Sequence, residues 1–142
     1  MTEDRLAKGY QPKFDIDYQV GHQAELWVQD IIQALKTERV EVKYDARLEQ
    51  TGNVFVEFQC LHDGRNWVPS GIAVTDAEFW VFVLHQSISC VIVRTHELKL
   101  AVRRLWKPQN LVRCDRGSHP TRGVKVPLTW LLQHGTREAA AS

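Results

Sequence analysis

The chain has 142 residues, 44% apolar and 25% charged, with a formal net charge of +1. That is enough apolar material for a single core, and the composition excludes disorder, collagen and coiled coil. No run reaches the ~18 consecutive apolar residues of a membrane helix, and charges stand between Met1 and Lys13 where a signal peptide would carry its apolar stretch. A soluble, non-secreted protein is therefore expected. Cys60, Cys90 and Cys114 are odd in number and widely spaced, with no Cys-x-x-Cys, which argues against a disulfide framework or a structural zinc site and for a reducing cytosol.

One domain over residues 1–135 is the simplest organisation, followed by a tail, 136–142, whose Ala-Ala-Ala-Ser end is expected to fray. From His22 to Lys36 the apolar residues Ala24, Trp27, Val28, Ile31, Ile32 and Leu35 recur at three and four, which predicts an amphipathic helix starting after Gly21. Arg39 to Leu48 alternates, with Val40, Val42 and Tyr44 on one face and Glu41, Lys43 and Asp45 on the other. Val54 to Cys60 alternates likewise after Gln50-Thr51-Gly52-Asn53, which predicts a hairpin. Phe79 to Leu84 is apolar throughout, as a strand buried on both faces would be, and Ile88 to Val93 reads as its neighbour. Thr95 is the expected N-cap of a second helix with core residues Leu98, Ala101, Val102 and Leu105, and with Lys99 and Arg103 on its outer face. Val124 to Leu128 predicts a late strand, placed at a sheet edge by Pro127, before a short Trp130-Leu131-Leu132 segment. The order predicts an α/β fold: a central mixed sheet flanked by helices.

The charge is unevenly arranged. Residues 1–93 hold 8 Lys/Arg against 14 Asp/Glu, whereas residues 94–125 hold 9 against 2, so the chain is acidic and then basic. Such a split suits a carboxylate-held divalent cation beside a phosphate-binding surface. Ordinary solvated charge with a chance gradient is the alternative.

Side-chain parity across the expected hairpin gives the sharpest site. Lys43 and Asp45 point one way on the first strand, and Glu57 and Gln59 point together on the second. If those faces coincide, two carboxylates, an amide and an ammonium cluster there, an oxygen-rich donor set suited to Mg²⁺ or Mn²⁺. Glu25, on the margin of the helix's apolar face, is a further candidate ligand. The same alternation also fits a solvated face with cross-strand acid–base pairs. His22, His62, His85, His96, His119 and His134 form no metal-binding pattern, no Gly-rich phosphate loop is present, and Ser70 and Thr75 read as loop-shaping residues. Trp27, Trp80, Phe79 and Phe82 sit at core spacings.

A helix with Glu25, then Asp45, then Glu57-Phe58-Gln59 resembles the PD-(D/E)XK nuclease superfamily, which shares the fold of restriction endonucleases and Holliday-junction resolvases. The wider strings, Glu41-Val-Lys43-Tyr-Asp45, Thr51-Gly-Asn53-Val-Phe-Val-Glu57 and Pro69-Ser-Gly-Ile72 with Thr75, Ala77 and Trp80, look like small phage-associated members. The resemblance spans about residues 15–105. It implies a restriction-endonuclease-like core of αβββαβ type and a Mg²⁺- or Mn²⁺-dependent DNA endonuclease in a bacterial cytoplasm. It also implies Asp45, Glu57 and Glu25 as metal ligands, with Asp45, Glu57, Gln59, Lys43 and Glu25 in the catalytic set. Gln59 stands where the motif usually has Lys; some restriction enzymes look similar in having Glu-x-Gln, and Lys43 is expected to supply the missing charge. A rival frame takes Glu41-x-Lys43 as the motif, with Asp15 or Asp17 upstream. Lys99, Arg103, Arg104, Arg113 and Arg116, with Arg122, are expected to hold the phosphate backbone. DNA is the expected partner, duplex, branched or single-stranded being left open, as is a homodimer; no membrane partner is expected. A fold-retaining, non-catalytic nucleic-acid-binding or interaction module is the alternative, for which Gln59 is the argument.

Overall fold

The computed structural model describes the backbone of residues 12–84 and 89–133, with side chains from Tyr18 onward. The expectations for tail 136–142, His85, Ile88, His134 and the side chains of Asp15 and Asp17 lie outside the described residues. The chain divides into two compact units, Met1–Thr37 and Glu38–Ser142.

The first unit carries α1, Pro12–Lys36. It begins well before His22, with Pro12 at the first helical position, where a missing N–H leaves no bond unmade. Gly21 therefore lies inside the helix rather than ahead of it, at a propensity cost of about 1 kcal/mol against Ala. Trp27 is 49% exposed, and Val28, Ile32 and Leu35 are likewise exposed.

The second unit runs β1 (Val40–Tyr44), α2 (Leu48–Thr51), β2 (Asn53–Leu61), β3 (Trp67–Pro69), a 3₁₀ turn (Gly71–Ala73), β4 (Phe79–Leu84) and β5 (Ser89–Arg94). It continues through α3 (Thr95–Arg104), a second 3₁₀ turn (Pro108–Asn110), β6 (Leu111–Cys114) and β7 (Thr121–Pro127), and residues 128–133 are helical. The fold is α/β, with two sheets: a mixed one ordered β1-β4-β5 and an antiparallel one ordered β3-β2-β7-β6. In the first, β4 is central, parallel to β1 and antiparallel to β5. Phe79, Trp80, Val81 and Phe82 are all buried, as the unbroken apolar run requires.

The expected hairpin between β1 and β2 does not form. β1 pairs in parallel with β4, Val40 opposite Phe79 and Tyr44 opposite Val83, while β2 belongs to the other sheet. The turn signal is real but ends α2 instead: Gly52 takes the left-handed conformation at φ 71° and its N–H bonds to the Leu48 carbonyl at 2.8 Å. The short helix redirects the chain into the second sheet. β7 also departs from expectation, for it lies between β2 and β6 rather than at an edge. Pro127 is tolerated because β6 pairs only with residues 121–124 of β7, so the proline stands beyond its end.

Thr95 opens α3 but does not cap it. The N-cap position is Arg94, with no side-chain capping bond, and the Thr95 hydroxyl donates to the Ala77 carbonyl at 2.6 Å. Leu98, Ala101 and Val102 are buried as their spacing predicts. They join Leu48, Val54, Val56, Ile72, Trp80, Phe82, Val124 and Val126 in one core shared by both sheets and α3.

Candidate functional site

The polar side of β1 is the half-buried one. In the parallel register Glu41 lies beside Trp80 and Lys43 beside Phe82, while Val42 and Tyr44 are exposed. Lys43 Nζ pairs with Glu41 Oε1 at 2.7 Å and stands 5.5 Å from the centre of the Trp80 ring. Asp45 follows at the end of the strand, where its Oδ1 accepts the Arg47 N–H at 2.9 Å, so the carboxylate is held by the turn into α2.

Lys43 and Asp45 line a cavity of about 730 Å³ with Arg47, Phe55, Asp115 and two predicted phosphate-binding residues, Arg113 and Arg116. Arg113 Nε donates to Asp115 Oδ1 at 2.9 Å. Predicted catalytic and predicted backbone-binding residues therefore share one concavity. Its oxygen donors, Asp45 above all, suit a hard divalent cation, which keeps several waters and takes one or two carboxylates. Among the described residues no three His, Cys, Asp or Glu side chains group to hold a metal.

Glu57 and Gln59 are not brought to that cavity's walls, nor to one face. Glu57 pairs with Gly123 and Gln59 with Arg122, so Phe58 is the extra residue of a β-bulge. A bulge breaks the strict alternation on which the expected shared face depended. Gln59 and Phe58 instead line the same two cavities, and the Gln59 amide oxygen accepts from Arg122 at 3.4 Å. Glu57 stays on the straight part of β2. There the first 3₁₀ turn presses against it: a Cβ on Gly71, whose φ is +52°, would stand 2.3 Å from the Glu57 carbonyl oxygen.

The two cavities beside Gln59 measure about 510 and 430 Å³ and share Phe58, Gln59 and Trp106 as walls. The larger adds Val112, Arg113 and Arg122; the smaller adds Lys99 and Arg103, which lie one turn apart on α3. Val112 and Arg113 also wall the Asp45 cavity, on the edge strand β6. Arg104 is on α3 but is not among these walls. Glu25 belongs to the first unit, exposed on α1, with His22 Nδ1 at 4.0 Å.

Sequence reasoning missed Trp67 and Trp106. The Arg122 guanidinium lies 3.8 Å from the centre of the Trp67 ring and that of Arg113 at 5.5 Å. Trp106 packs on Phe58 with ring centres 4.5 Å apart. The available signal was position: Trp106 falls past the apolar repeat of α3, among Arg103, Arg104 and Lys107, where a core residue is not needed. Compared with protein-family models, curated proteins and solved structures, the chain matches none.

Proposed function

We propose that this protein binds DNA through these cation-lined cavities and hydrolyses its phosphodiester bonds at the Asp45 cavity. One observation carries the reading: Lys43 and Asp45 share a concavity with Arg113 and Arg116, and Arg113 also walls the cavity in which Gln59 meets Arg122. Cations next to a carboxylate provide both halves of phosphodiester chemistry, a grip on the phosphate and a place for the metal. The resemblance to PD-(D/E)XK nucleases supports the same reading, with Asp45 and Glu57 as the residues that would hold Mg²⁺ or Mn²⁺, Glu57 standing two residues along β2 from Phe55 of the cavity wall. Such a cation, when bound, lowers the pKa of a water and offsets charge on the phosphate. Arg113 and Arg116 would orient the phosphate, and Lys43, tethered by Glu41, would face it with an ammonium.

The test is cleavage of supercoiled, branched and single-stranded DNA with Mg²⁺ or Mn²⁺. Asp45→Ala and Glu57→Ala should each lower the rate by about two orders of magnitude or more, with the fold kept, because neither side chain is part of the core. Near wild-type rates in both variants under saturating metal would refute the catalytic assignment. One observation favours a second reading, a nucleic-acid-binding module without catalysis: Gln59 is turned to Arg122 by the bulge instead of standing with Glu57. That reading expects DNA binding and no cleavage by the wild-type protein.

A further inference from the structure

Arg113 and Arg122 are directly opposite one another in the β6–β7 register. Opposite residues of an antiparallel pair point the same way, and like charges so placed destabilise a sheet. Asp115 is paired with Arg113. Arg122 is fixed instead by the face of Trp67 and by the Gln59 amide, neither of which removes its charge. Both guanidiniums are thus held beside one indole, at an electrostatic cost that a bound anion would reverse.

The adjoining aromatic pair is a second, independent feature. Trp106 is 49% exposed, supported from behind by the half-buried Phe58, and it walls the cavity of Arg113 and Arg122 as well as that of Lys99 and Arg103. Four cations therefore flank one supported, solvent-facing indole. A base can stack on an indole only when it is free of its own stack, whereas phosphates contact cations in either duplex or single strand. A duplex would use the cations and leave Trp106 idle.

We infer that this groove takes single-stranded DNA, with an unpaired base stacked on Trp106 and the flanking phosphates held by Arg113 and Arg122 on one side and Lys99 and Arg103 on the other. The inference rests on the nucleic-acid reading above but not on catalysis. It gives that reading a substrate preference: strands with unpaired nucleotides over continuous duplex.

The experiment measures binding of a fluorescein-labelled 20-nucleotide DNA, single-stranded and as its duplex, to the full chain in EDTA, so that no cleavage intervenes. The wild-type protein should bind the single strand more tightly. Trp106→Ala should weaken single-strand binding about tenfold or more, since a base stacked on an aromatic residue is worth on the order of 1–3 kcal/mol, and leave duplex binding within about twofold. Trp106→Phe should restore most of the loss whereas Trp106→Leu, which keeps apolar bulk on Phe58 but has no π-face, should not, and this separates a stacking role from a packing one. The salt slope should not change in Trp106→Ala, because no phosphate contact is removed. Equal losses on single strand and duplex, unchanged single-strand binding in Trp106→Ala, or no binding of the single strand by the wild-type protein would overturn the inference. Loss of cleavage in Asp45→Ala bears on the catalytic reading alone and leaves this binding pattern in place.

Discussion

Gly71 shows how a single residue holds the site's scaffold in place. Its positive φ is one that L side chains rarely adopt, and its α-carbon lies against the backbone of Glu57, where a methyl would meet a carbonyl oxygen. Gly71→Ala should therefore destabilise the protein by about 2 kcal/mol or more, read as a lower midpoint in urea unfolding; an unchanged midpoint would mean that the turn moves freely away from β2. Asp63 is a gentler case. Its Oδ1 accepts the Asn66 and Arg65 N–H groups at 2.8 Å, and these bonds, Asn66 first, hold the carboxyl below the ordinary aspartate range. A lowered folded-state pKa means that the loop's stabilisation is complete above the unfolded value of about 3.9 and fades as pH falls through the folded one. An NMR titration of the Asp63 carboxyl carbon should place its midpoint below that of an unstructured aspartate.

Elements were legible from the sequence where the burial pattern alone defines them, and illegible where they depend on a partner. The four buried residues from Phe79 to Phe82 and the buried Leu98, Ala101 and Val102 follow from apolar runs and helical spacing. Alternation along β1 tells which side chains share a face, but not which strand lies alongside, and the neighbour is β4 rather than β2. The bulge at Phe58 left no mark in the pattern either, because Val54, Val56 and Phe58 alternate as a regular strand would; the break appears only where Gln59 meets Arg122. For the site, this means that the residue types and the cation-rich stretch could be read, whereas their grouping around three cavities could not. Thr95 is another element-level example: the hydroxyl expected to cap α3 ties the helix to the segment before β4. Thr95→Val should cost about 1–2 kcal/mol, because the methyl fills the space and leaves the Ala77 carbonyl without its donor. A midpoint unchanged from wild type in thermal or urea unfolding would show that the tie carries no weight.

At the scale of the whole molecule, the near-zero net charge conceals a division that the fold converts into a surface. The basic stretch after residue 93 supplies α3, β6 and β7, and these bring Lys99, Arg103, Arg113 and Arg122 around Trp106. No described helix is long and apolar enough to cross a membrane. If these cations act as one phosphate-binding surface, DNA affinity must fall with salt through them. The most direct test is the dependence of DNA affinity on salt for the wild-type protein and for the combined variant Lys99→Ala, Arg103→Ala, Arg113→Ala, Arg122→Ala. Each phosphate contact contributes roughly 0.7–0.9 to the slope of log affinity against log salt, so removing four should flatten it by about three units. A slope that is the same in both proteins, with affinity unchanged, would contradict the account.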